Sequence, residues 1–108
     1  MRVLFDQATP VPLRSFLQGH TVRTAPQERW NRLPNGELLK AAEAVGFDVL
    51  LTADKNLRYQ QNLSGRKLAI VVLGQGRWRL VRRHAAAVVA AVNAATPSSY
   101  TEVQTPYD

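Results

Sequence analysis

The chain predicts a three-layer α/β/α fold around a mainly parallel central sheet, and three observations carry that prediction. Arg2-Val3-Leu4-Phe5, Phe47-Asp48-Val49-Leu50-Leu51 and Lys67-Leu68-Ala69-Ile70-Val71-Val72-Leu73 are short, largely apolar runs bounded by glycine or polar stretches, which read as strands. The segments between them show helical spacing or helix signals, so strands and helices alternate along the chain. The third run is almost continuously apolar, the pattern of an interior parallel strand covered on both faces.

At 108 residues, 45% of them hydrophobic, the chain has the material for one globular domain spanning 1–108, with a core reaching to about residue 95 and a short tail. No apolar run has the length of a membrane span. Met1-Arg2-Val3-Leu4 enters a strand directly, without the apolar region of a signal peptide, so a cytoplasmic location is the expectation. The absence of cysteine excludes disulfides, thiolate catalysis and thiolate zinc sites, and any site must be built from oxygen and nitrogen. Lys and Arg number 14 against 8 Asp and Glu, a formal charge of +6 that favours polyanionic partners such as RNA.

Taken in order, the first strand ends on Asp6. Thr9 and Pro10 then suit the cap and first position of a helix whose apolar face is Leu13, Phe16 and Leu17 and whose stop is Gly19. His20-Thr21-Val22-Arg23-Thr24 is a second, shorter β run. Gln27 to Leu33 reads as a loop with a short helix anchored by Trp30 and Leu33 and closed by Pro34. From Asn35 to Gly46 lies the clearest helix of the first half: Asn35 as N-cap, Leu38, Ala41, Ala42 and Val45 on one face, Gly46 at the stop. Glu37 falls in its first turn. Lys55 to Asn62 is expected to form a short helix after the central strand. Trp78 to Ala95 reads as one long helix with a stripe of Val81, Ala85, Val88 or Val89, and Val92. Tyr100 to Gln104 alternates and is expected to add an edge strand.

Several motifs are excluded. Gly74-Gln75-Gly76 lies between strand and helix, but Arg79 occupies the position of the third glycine of a dinucleotide fingerprint. There is no P-loop, no serine elbow, and His20 and His84 have no zinc spacing.

What remains is a pair of carboxylates with one address. Asp6 and Asp54 each follow a predicted strand, and in parallel α/β sheets ligands collect beyond the carboxyl ends of strands. Each has a structural alternative, Asp6 as a turn residue and Asp54 as a helix cap. Glu37 in a first turn also favours the helix dipole without any site. Asn35 and Asn56 serve as cap and turn residues at least as well as site residues. Arg77, Arg79, Arg82 and Arg83 crowd a helix N-terminus, where cations oppose the dipole. An anionic partner explains them, as does a solvated face or acidic groups on a neighbouring subunit. Tyr59, among Gln60, Gln61 and Asn62, offers a ring for unpaired bases, or simply belongs to an exposed polar helix.

Three motifs stand in order along the chain: Leu4-Phe5-Asp6, Leu33-Pro34-Asn35-Gly36-Glu37-Leu38-Leu39 and Leu51-Thr52-Ala53-Asp54-Lys55-Asn56-Leu57. Their order resembles the PIN-like proteins, and more narrowly the small bacterial Mut7-C-related group (the DUF5615 type). The resemblance implies a metal-dependent ribonuclease fold, often paired with an antitoxin-like protein, in which strand-end carboxylates hold Mg²⁺ or Mn²⁺. Carried onto this chain, it implies Asp6, Asp54 and Glu37 as metal ligands and catalytic groups, with Asn35, Thr52, Lys55 and Asn56 around them. Asn35 and Asn56 stand where such relatives often carry Asp, which leaves fewer charges for the cation. A catalytically degenerate PIN-like module that binds a protein partner or nucleic acid without cutting is therefore the alternative.

Overall fold

The computed structural model describes residues 1–57 and 65–105. The elements run β1 (Arg2–Phe5), a 3₁₀ turn (Val11–Phe16), β2 (Thr21–Thr24), α1 (Asn35–Val45), β3 (Val49–Thr52), β4 (Ala69–Leu73), α2 (Trp78–Val81), a second 3₁₀ turn (Arg82–His84), α3 (Ala85–Ala94) and β5 (Tyr100–Val103). All five strands are parallel, in the order β2-β1-β3-β4-β5. The chain leaves β1 for β2 on one side and returns to β3 on the other, so the order reverses between β1 and β3. At such a switch point the outgoing loops diverge and a crevice opens beyond the strand ends.

Alternation along the strands sends side chains into two cores. Val3, Phe5, Val49, Leu51 and Val71 face Leu13, Leu17, Val81, Val88 and Val92, so α3 and the first 3₁₀ turn cover one side. Leu4, Leu50, Ile70 and Val72 face Leu38, Leu39 and Ala42 of α1 on the other. Each buried Leu, Val or Phe contributes about 1.5–3 kcal/mol from its removal from water. This is why β1, β3 and β4 are read so easily: all five residues of β4 are buried.

The α/β class, the parallel sheet, the interior position of β4, the edge strand at Tyr100 and the left-handed Gly46 (φ 93°) match the sequence reading. Several local expectations do not. Thr9 makes no cap bond to the segment after it, which is a 3₁₀ turn entered through Pro10, and Phe16 is 44% exposed rather than part of a buried face. Gln27 to Leu33 forms turns rather than a helix; Trp30 packs edge-on against Phe47, with ring centroids 6.1 Å apart. In α1 the cap position belongs to Pro34, and the buried stripe is Leu38, Leu39 and Ala42, with Val45 45% exposed. The long C-terminal helix is interrupted by the tighter turn at Arg82–His84, although Val81, Ala85, Val88 and Val92 form the expected buried stripe. Most of the helix expected from Lys55 to Asn62, with Tyr59, lies outside the described residues.

Candidate functional site

Asp6 follows β1 and Asp54 follows β3, so the switch point delivers both to one crevice of about 210 Å³. Its walls include Gln7 and Ala8 from the β1 loop, Trp30 and Asn31 from the β2 loop, and Asn35 and Leu38 from α1. Gln7 Nε2 donates to the Asn31 carbonyl at 2.5 Å and ties two of these walls together.

The carboxylates are held by short-range polar contacts. Asp6 Oδ1 accepts from the Ala8 amide at 3.1 Å and lies 2.8 Å from Thr9 Oγ1, while Asp6 Oδ2 accepts from the Thr52 hydroxyl. Thr52, 1% exposed, also accepts from the Asp54 amide at 3.0 Å, and so its one hydroxyl joins the two acidic residues. Asp54 Oδ2 accepts from Asn35 Nδ2 at 2.9 Å, and Oδ1 from the Asn56 amide at 3.0 Å. Asn35 therefore serves Asp54 rather than capping its helix, and Asn56 contributes its backbone through a turn of the kind Asx residues form.

Burial pushes the Asp6 carboxyl above its ordinary value of 3.8, against the opposing bonds from Thr52, Thr9 and the Ala8 and Thr9 amides. Thr9 Oγ1 lies 2.8 Å from Asp6 Oδ1 and 2.6 Å from the Leu51 carbonyl, so its one hydrogen is shared between two acceptors. Among the described residues no Lys or Arg forms an ion pair with Asp6 or Asp54. Asp6 is thus a partly buried carboxylate with no ion pair among the described residues, an arrangement that burial alone disfavours.

The donor set fits a hard cation. Asp54 retains a lone-pair position on each oxygen, and Asp6 retains one on Oδ2. Mg²⁺ is commonly held by one or two carboxylates, with water and substrate phosphate completing the shell. Glu37 is exposed and does not line the crevice, and among the described residues no three His, Asp or Glu side chains form a metal-holding group. Lys55 lines a separate cavity of about 70 Å³ with Glu102, beyond β4 and β5, rather than the crevice. Thr9, Gln7, Trp30 and Asn31 are site residues that sequence reasoning missed. Asp6-x-x-Thr9 immediately after a strand was a readable signal, since Asp and Thr close such turns.

The arginines follow the β4 loop, whose contact with the β1 and β3 loops forms a low ridge at Gly76. A Cβ at Gly76 would come within 2.5 Å of the Ala8 carbonyl oxygen and 3.6 Å of Ala53 Cβ, so the β4 loop rests directly on the β1 and β3 loops. Arg77, Arg79, Arg82 and Arg83 follow it, all exposed.

A larger cavity, about 370 Å³, is at the opposite end of the sheet, with Glu43, Asp48 and Lys67 in its wall. Its acids are occupied: Asp48 Oδ2 accepts from the Arg2 amide at 2.8 Å, Glu43 Oε1 accepts from the Leu68 amide at 3.3 Å, and Glu43 Oε2 lies 3.9 Å from Arg66. Size therefore does not locate the chemistry. No helix among the described residues is long and apolar enough to cross a membrane. In comparisons with family models, curated proteins and solved structures, nothing matches this chain significantly.

Proposed function

We propose that the chain is a Mg²⁺- or Mn²⁺-dependent ribonuclease-like domain that hydrolyses RNA phosphodiesters in the crevice between the β1 and β3 loops. The observation that carries this reading is Asp6, a partly buried carboxylate with no ion pair to a cation among the described residues, joined through Thr52 to Asp54 at the switch point. Asp6 and Asp54 would hold the ion. When bound, a divalent cation supplies Lewis-acid polarisation of a phosphoryl oxygen and a water of lowered pKa. The chain's own residues do the positioning. Thr9, Thr52 and the Ala8 amide fix Asp6, Asn35 and the Asn56 amide fix Asp54, and the exposed arginines draw in the polyanion.

A second reading is favoured by one observation, the exposure of Glu37 outside the crevice. With two carboxylates rather than three, the same crevice suits a module that binds without cutting, its partner an antitoxin-like protein covering the acids.

Cleavage of a fluorogenic single-stranded RNA in Mg²⁺, Mn²⁺ or chelator separates the two. The ribonuclease reading expects cleavage that needs metal and is lost in Asp6→Asn and in Asp54→Asn. Metal-saturated protein that never cleaves, or cleavage that survives the double substitution, would contradict it.

A further inference from the structure

On the α3 side of the ridge, the aromatic pair Phe16–Trp78 is so far without a role. Trp78, the first residue of α2, packs on the core beneath it and is thereby held in place. Phe16, at the end of the first 3₁₀ turn, leans against it with ring centroids 5.8 Å apart and planes tilted by 54°. A phenylalanine 44% exposed leaves a substantial part of its ring open to solvent.

The surroundings are cationic. Arg77 and Arg79 flank Trp78 in sequence, and Arg82, one turn on, shares its side of the helical segment. None of these three guanidinium groups has a hydrogen bond or ion pair among the described residues. An anchored aromatic pair among unpaired arginines combines the two things that recognise a strand of unpaired nucleotides: π faces for bases and charge for phosphates. A folded protein partner would need acids to match the arginines, but an aromatic pair only partly exposed gives it little apolar area.

We infer that Phe16 and Trp78, with Arg77, Arg79 and Arg82, form a stacking platform for the bases of a single-stranded nucleic acid. Its backbone crosses the low ridge at Gly76 toward the crevice. That last step rests on the ribonuclease reading; the platform does not.

The chain's two tryptophans report on the two regions separately, since Trp30 lines the crevice and Trp78 belongs to the platform. The test uses single-stranded RNA of about ten nucleotides in chelator, so that no cleavage occurs, with inorganic polyphosphate as a baseless control. In Trp30→Phe protein, RNA quenches Trp78 emission saturably, whereas polyphosphate binds and leaves it unchanged. Phe16→Leu keeps an apolar side chain but removes the ring. It weakens RNA binding about tenfold, the size of one lost base–aromatic stack, and leaves polyphosphate affinity unchanged. RNA that fails to bind, RNA that binds without altering Trp78, or an equal loss for RNA and polyphosphate in Phe16→Leu would each overturn the platform. So would Trp78 emission that ignores RNA but follows protein concentration, which would mark a contact between copies of the chain. Quenching at Trp78 in a protein that never cleaves RNA with metal would leave the platform standing and remove the ribonuclease reading instead.

Discussion

Both ends of the parallel sheet carry carboxylates, and the two ends use them differently. At the end where strands begin, Asp48 and Glu43 accept bonds from the Arg2 and Leu68 amides, and Glu43 lies near Arg66. Those acids brace the backbone beside the larger cavity. At the end where strands finish, Asp6 is partly buried, raised in pKa and joined to a second acid, with only neutral donors bonded to it among the described residues. Glu43 has a cationic neighbour in Arg66, whereas partly buried Asp6 has neutral donors alone among the described residues. That leaves its charge for a ligand to answer and supports the proposal of a site in the smaller cavity.

The largest expected effect concerns the joint between the acids. Thr52→Val removes the donor to Asp6 and the acceptor of the Asp54 amide, leaving buried polar groups unpaired, and should cost about 2–4 kcal/mol in urea unfolding. Thr52→Ser, which keeps the hydroxyl, should lose less than half of that. Equal losses would mean that packing, not the hydroxyl, joins the site.

Next comes the response to metal, which should separate the ends of the sheet. At tenfold excess over its dissociation constant, Mn²⁺ should add about 1.4 kcal/mol of stability. In a thermal melt that raises the midpoint by several degrees. The gain should survive Glu43→Gln and vanish in Asp6→Asn.

A smaller contrast is one of sign. Without metal, Glu43→Gln should destabilise by about 0.5–1 kcal/mol, because it weakens a partly exposed ion pair and an amide contact. Asp6→Asn should stabilise near neutral pH, because it removes a charge that burial penalises. Losses at both positions would erase the distinction between the two ends.

The pH dependence follows from the same shift and is smaller again. Asp6 titrates higher in the folded chain than its ordinary 3.8, so between those values the folded state binds more protons than the unfolded one. Its contribution to stability therefore falls as pH rises from about 3.8 through the folded value, then levels off. Without metal, the advantage of Asp6→Asn over wild type should grow across that window and then hold constant. A difference independent of pH would show that the Asp6 charge is not what burial penalises.

Much of this was legible in the sequence because the strands are short apolar runs with clear ends. The runs before Asp6 and Asp54 announced a parallel sheet and placed both acids at strand ends, and Gly46 announced the close of α1. What the sequence did not carry was long-range partnership. Asn35 looks like a helix cap by every local rule, yet its amide reaches Asp54 nineteen residues away. Glu37 sits close to Asn35 in the chain, but on a helix that spacing turns it outward. Thr9 satisfies the rules for a cap, but β3 offers it the Leu51 carbonyl forty-two residues on. Phe16 fits an apolar helical face, and only the 3₁₀ geometry of its turn leaves it at the surface beside Trp78.

Asp6 and Asp54 are proposed to form one cation site together at the switch point, without Glu37. Calorimetric titration of Mn²⁺ into wild type, Asp6→Asn, Asp54→Asn and Glu37→Gln tests it directly. Saturable binding in wild type and Glu37→Gln, lost in each aspartate variant, is the predicted result. No binding to wild type at millimolar Mn²⁺, or binding that survives both aspartate substitutions, would contradict it.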